Sequence, residues 1–210
     1  MSKFITFEGG EGTGKSTQVK LLAEALTKAD IDSVSTREPG GAPGAEDIRN
    51  LLVNGDVDRW SPMSEALLNY AARAEHLEHT VVPALESGKW VISDRFVDST
   101  TAYQGYGHGL DLDILAELNQ VVLGGFKPDL TLVFDLDLKV GLDRASSRGD
   151  GEDRYERMGH DFHERLRQGF LDIAAGDPER CVVIDASVDI DTIATAVRKA
   201  VSDHFGVSLS

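Results

Sequence analysis

The chain has 210 residues, 41% of them hydrophobic, and a formal net charge of −15. That length and apolar share suit one core in one domain, and the acidity argues against non-specific binding to nucleic acid or an anionic membrane, because the global field repels polyanions. No apolar run reaches the ~18 residues of a membrane span, and the lone Cys181 excludes an internal disulfide and fits a reducing cytoplasm.

Residues 3–7 read as a strand, which leaves no room for a signal peptide ahead of it. Gly9-Gly10-Glu11-Gly12-Thr13-Gly14-Lys15-Ser16 then matches the phosphate-binding pattern G-x-x-x-x-G-K-[ST]. A helical pattern over 16–28 follows, with Val19, Leu22, Ala23 and Leu26 on one face. Strand, glycine turn and helix start aim backbone N–H groups and a helix dipole at one point, so the loop binds a nucleoside triphosphate. Lys15 would reach the β- and γ-phosphates, and the Ser16 hydroxyl suits Mg²⁺. Glu11 is unexpected there: a carboxylate opposes an anion site unless it points to solvent or to a second substrate.

A strand at 33–37 runs into Arg37-Glu38-Pro39-Gly40-Gly41, and a helix is expected over 45–53. From 62 to 85, Met63, Leu67, Tyr70, Leu77, Val81 and Leu85 recur on one helical face. The strand at 90–94 ends in Asp94-Arg95, a metal-side carboxylate beside a planar fork for phosphate. Asp135, closing the strand at 130–135, is a rival carboxylate, but only Asp94 is followed by an arginine. Glycine-containing breaks fall at 105–109, 124–125 and 148–151. Helices are expected at 112–123, 138–146, 159–174 and 190–205, with a last strand at 181–185. The alternation predicts an open α/β fold, a five-stranded parallel sheet with helices on both faces and its site beyond the carboxyl ends of the strands. The histidine pairs His76/His79 and His160/His163 lack metal-site spacing.

The P-loop holds no cation besides Lys15, yet charge building on a transferred phosphoryl group needs a further clamp. Residues 148–157, rich in arginine and glycine, are its natural source, as a lid over about 146–158 of a single 1–210 domain.

Taken together, Phe7-Glu8-Gly9 before the P-loop, Thr36-Arg37-Glu38-Pro39-Gly40-Gly41, Tyr70-Ala71-Ala72-Arg73, Ser93-Asp94-Arg95, Ser99 through Tyr103-Gln104-Gly105, and Lys127-Pro128-Asp129-Leu130-Thr131 resemble the thymidylate kinases. The resemblance spans nearly the whole chain and implies a P-loop, nucleotide-monophosphate-kinase-like fold. It implies transfer of the ATP γ-phosphoryl group to the 5′-phosphate of dTMP, with Mg²⁺, in a cytoplasmic homodimer with no nucleic-acid or membrane partner. ATP would lie on Gly9, Gly10, Glu11, Gly12, Thr13, Gly14, Lys15, Ser16 and Thr17, with Arg144 near the adenine and Ser16 and Asp94 on the metal. For dTMP, Arg95 would hold the phosphate beside Arg37, Glu38 and Pro39. Arg73 would read the thymine edge near Thr100 and Gln104, Tyr103 would crowd a ribose 2′-hydroxyl, and Glu11 would approach the 3′-hydroxyl. The catalytic cations would be Lys15, Arg95 and two lid arginines, Arg148 and Arg154. Where the family usually places a base-stacking phenylalanine this chain has Asn69, so stacking must come from elsewhere (Tyr70 or Phe96) or base affinity is weaker. Another nucleotide kinase or a nucleoside kinase, the latter with Asp94 as base, and a switch GTPase or regulatory ATPase are the rival readings; no N-K-x-D guanine motif is present.

Overall fold

The structure is a computed structural model that describes residues 1–146 and 154–209. Five strands, β1 (Phe4–Gly9), β2 (Ser33–Arg37), β3 (Trp90–Asp94), β4 (Leu130–Asp135) and β5 (Cys181–Asp185), form one parallel sheet in the order β2-β3-β1-β4-β5. The helices are α1 (Lys15–Lys28), α2 (Pro43–Val53), α3 (Pro62–His76), α4 (Val82–Glu86), α5 (Val97–Thr100), α6 (Leu112–Leu123), α7 (Leu138–Ser146), α8 (His160–Gly176) and α9 (Ile190–Phe205).

The period-two alternation of the strands divides the core between the two sheet faces. Ile5, Phe7, Leu132 and Phe134 pack with Val19, Leu22 and Leu26 of α1 and Ile193 and Val197 of α9. Their neighbours in sequence point the other way: Phe4 and Val91 meet α3 and α6, and Val133 meets α8. Burying both faces explains why the strands read as nearly continuous apolar runs.

The single helix expected over 62–85 contains a π-helical turn, Leu77–Val81, between α3 and α4. Pro83 lacks an N–H and crowds the carbonyl four residues back, so the ladder widens just ahead of it. A second π-helical turn, Thr101–Gly107, extends α5 through part of the expected break at 105–109. Gly107 packs where a Cβ would meet Phe162 of α8 at 2.5 Å, so glycine here serves helix contact rather than chain reversal. Cys181 is buried and its thiol is pushed up to about 12 by burial, in keeping with an inert core thiol. No helix among the described residues is long and apolar enough to cross a membrane.

Candidate active site

Three strand ends meet at the crevice where β1 lies between β3 and β4, the switch point of the sheet. Gly9, Gly12 and Gly14 all take positive φ, which turns the chain from β1 into α1. Gly12 is also pressed against α7, where an added Cβ would stand 1.9 Å from the Gly141 carbonyl oxygen. The Lys15 ammonium curls back over this loop, donating to the Gly9 and Gly10 carbonyls at 3.0 and 2.7 Å and to Thr13 Oγ1 at 3.2 Å. Burial, then the neighbouring Arg95 charge, lowers its pKa to about 8.

Ser16 Oγ donates to Asp94 Oδ2 at 2.5 Å, so the two residues expected at the metal are joined at the mouth of the loop. Both line an open cleft with Lys15, Arg37, Arg49, Arg95 and Arg144. A hydroxyl and a carboxylate are hard oxygen donors, and with phosphate oxygens and water they fit Mg²⁺. Asp135 is committed elsewhere: Arg167 grips both its oxygens at 2.6 and 2.9 Å.

Arg95 departs from ordinary backbone geometry, with φ 73. Its guanidinium donates to the Gly9 carbonyl at 2.9 Å, Ser99 Oγ at 3.1 Å and Glu11 Oε1 at 3.0 Å, and lies 5.0 Å over the Tyr103 ring. Burial works against its charge, but Tyr103, Glu11, Asp94 and Glu8 around it hold its pKa above the usual range. Glu11 also accepts the Tyr103 hydroxyl. Its carboxylate therefore faces Arg95 and Tyr103. Beneath them the buried Glu8 accepts from the N–H groups of Phe96 (2.8 Å) and Ser99 (3.2 Å) and from Ser99 Oγ (2.6 Å). Burial, then Asp98, raises Glu8 to about 7.

A neighbouring cavity is lined by Glu11, Pro39, Asn69, Arg95, Thr100, Tyr103, Gln104 and Tyr155, among others. Arg73 stands behind it, 2% exposed rather than on a helix surface. Its Nε donates to Glu38 Oε2 at 2.8 Å, its Nη2 to the Phe96 carbonyl at 3.1 Å and Thr100 Oγ1 at 3.0 Å, and its buried Nη1 has no partner among the described residues. Glu38 is likewise buried, shared between Arg73 and His76 Nδ1 (2.8 Å), whose Nε2 meets Thr36 Oγ1 (2.7 Å). Glu38 thus orients Arg73 instead of lining a solvated turn, while Arg37 is exposed and paired with Glu46 at 3.0 Å. Asn69 donates to the Glu65 carbonyl at 2.9 Å and Gln104 to Glu65 Oε1 at 2.7 Å.

Two expectations need correcting. Tyr70 and Phe96 do not line the cavity: Tyr70 is buried with its hydroxyl donating to the Leu115 carbonyl at 2.9 Å, and Phe96 packs edge-on to Phe4 at 4.9 Å. Arg154, expected as a phosphate clamp, is turned away from the P-loop cleft and enclosed by the Leu52, Asp56 and Val57 carbonyls and the Glu65 carboxylate. A buried cation needs acceptors, and these four meet most of its five N–H groups. Arg148 lies outside the described residues. Arg144 donates to the Ala186 carbonyl at 3.4 Å beside the cleft. The sequence reading missed Arg49, which donates to the Pro39 carbonyl at 2.8 Å, and Glu65, Tyr155 and His76. Their places depend on distant partners: His76 on Thr36 and Glu38, Glu65 on Gln104 and Arg154, and Tyr155 on Tyr103.

A family model described as thymidylate kinase matches residues 7–197. A thymidylate kinase of Caulobacter vibrioides is 53% identical over 204 residues, 97% of this chain and 98% of that protein. One of Ruegeria pomeroyi is 50% identical over 201 residues, covering 96% and 95% of the two chains. The crystal structure of thymidylate kinase from Ehrlichia chaffeensis superposes with a TM-score of 0.77 at 38% identity, over 95% of this chain and 98% of that one.

Proposed function

The chain belongs to the thymidylate kinase family, and from that premise we propose that it transfers the ATP γ-phosphoryl group to the 5′-phosphate of dTMP, giving dTDP and ADP. The observation that carries this reading is Arg95. Its fork is fixed by the P-loop carbonyl of Gly9 and by Glu11, so a phosphate acceptor held there sits beside the loop that holds the donor. The acceptor oxygen is already anionic near neutral pH and needs no general base. Catalysis then consists of positioning and charge stabilisation.

In this reading the loop from Gly9 to Thr17 cradles the triphosphate and Lys15 neutralises its β- and γ-oxygens. Ser16 and Asp94 would hold Mg²⁺, whose charge would offset that of the phosphates. Arg144 borders the adenine. Arg148 is the lid arginine that the reading retains as a clamp. On the acceptor side Arg95 and Arg37 hold the phosphate near Glu38 and Pro39, and Glu11 accepts from the 3′-hydroxyl. Arg73, whose Nη1 has no partner among the described residues, donates toward the thymine edge among Asn69, Thr100 and Gln104, while Tyr103 fills the space of a 2′-hydroxyl.

A cytoplasmic homodimer completes the proposal. Leu67 of α3 and Leu112, Ile114 and Val121 of the adjacent α6 remain exposed and support an apolar subunit contact. The test is a coupled assay with ATP offering dTMP and thymidine separately. ADP formation with dTMP and none with thymidine is expected. Phosphorylation of thymidine would instead make Asp94 the base of a nucleoside kinase.

A further inference from the structure

Arg154 is completely buried without touching the phosphate cleft. Its Nε donates to the Asp56 carbonyl at 3.0 Å, Nη1 to Leu52 at 3.1 Å and Nη2 to Val57 at 3.0 Å, with Glu65 Oε2 at 2.5 Å. Leu52 lies in the last turn of α2, where unpaired carbonyls and the negative end of the helix dipole favour a cation. Glu65, on α3, also takes Gln104 from the π-helical turn at 2.7 Å. One guanidinium therefore ties three elements around the acceptor cavity, using a planar fork that lysine lacks.

The next residue lines that cavity. Tyr155 packs edge-on to Tyr103, with ring centroids 5.2 Å apart, and its hydroxyl meets the Asn69 side chain at the wall of the same cavity. Among the other described wall residues Pro39 and Val53 offer small aliphatic faces, and Tyr103 is the one other ring. Tyr103 is committed, its ring under Arg95 and its hydroxyl on Glu11, and Asn69 presents an amide. Tyr70 and Phe96 are sealed in the core.

We propose that Arg154 is a positioning residue whose Glu65 socket holds Tyr155 as the aromatic wall on which the acceptor base packs. This rests on the kinase reading for what occupies the cavity. It removes Arg154 from the transition state: its substitution weakens dTMP binding instead of slowing phosphoryl transfer.

Calorimetric binding of dTMP and of a non-hydrolysable ATP analogue, with steady-state turnover, separates the two roles. Arg154→Lys keeps a charge for Glu65 but loses the fork, and Tyr155→Leu removes the ring. Each is expected to weaken dTMP binding about tenfold, within the range for lost base–aromatic stacking, with ATP-analogue affinity and kcat held within about threefold. Tyr155→Phe restores near-normal affinity, which a general packing defect would not single out. In a Tyr155→Leu background, Arg154→Lys adds less than about twofold, because it acts through a ring already gone. A hundredfold loss of kcat in Arg154→Lys at unchanged dTMP affinity overturns the proposal. So does a Tyr155→Leu protein that binds dTMP like the wild type, whatever Arg154→Lys does. A wild-type chain that binds dTMP without phosphorylating it overturns the kinase reading alone; one that binds no dTMP overturns both.

Discussion

Glu38 offers a sharp test of how the acceptor site is held. Its carboxylate is 4% exposed and shared between Arg73 Nε and His76 Nδ1, each at 2.8 Å. Arg73 is 2% exposed, so Glu38→Ala strands a buried guanidinium with only the Phe96 carbonyl and Thr100 hydroxyl as acceptors. Breaking a buried pair in this way costs about 3–5 kcal/mol, which for a chain of this size lowers Tm by ~6–20 °C. Glu38→Gln keeps the shape and loses only the charge-assisted part of the bonds, about 1–2 kcal/mol, or ~2–8 °C. Thermal unfolding of the three proteins in parallel gives the order wild type, glutamine, alanine. The glutamine variant also raises KM for dTMP several-fold, with KM for ATP unchanged. An alanine variant with wild-type Tm would refute the reasoning, because Arg73 would then not depend on Glu38.

The remaining predictions follow from the loop and its neighbours. Lys15 must be cationic to hold phosphate, and its pKa in the folded chain is lowered to about 8, so kcat/KM for ATP falls as pH rises through 8; a profile flat to pH ~9.5 contradicts this. Glu8 titrates near 7 when folded against 4.5 for the free side chain, so between those values the folded chain keeps a proton that the unfolded chain has released. Stability therefore falls as pH rises from about 4.5 to 7, by up to ~3 kcal/mol, and is flat above; Glu8→Gln, followed by urea unfolding at pH 5 and 8, loses that slope. Gly12→Ala combines a φ of 68 with a Cβ only 1.9 Å from the Gly141 carbonyl, so α7 must shift. At least a tenfold rise in KM for ATP is expected, while Gly10→Ala, with open space around its Cβ, stays within about threefold.

The parts of the molecule that follow from local pattern were legible in the chain. Four of the five strands match the expected bounds, and β1 extends to Gly9 because the first P-loop residue still pairs with Phe134. Ser16 and Asp94, read as metal-side residues 78 positions apart, are joined directly, and Glu11 faces the Arg95 side. What escaped depends on pairings between distant segments. The segment Val97–Gly107 has two glycines and too few turns for a helical period to register, yet it is ordered by Glu8 at its start and α8 along its length. Arg154 reads as a clamp because a charged, glycine-containing stretch carries no sign of the carbonyls 97 to 102 residues earlier that receive it. Tyr70 and Phe96 were considered for stacking because rings invite that role, but Leu115 and Phe4 claim them for the core. Tyr155 supplies a ring from a segment whose sequence is dominated by charge.

The central claim is that the cavity beside the P-loop takes a thymidine monophosphate as phosphoryl acceptor. Initial rates of ADP formation from ATP across dTMP, dUMP, dCMP, dAMP and dGMP test it most directly. A kcat/KM for dTMP well above that of the purine monophosphates and dCMP, with dUMP next, is the predicted result. Equal rates with all five, or ATP hydrolysis that ignores the acceptor, would contradict it.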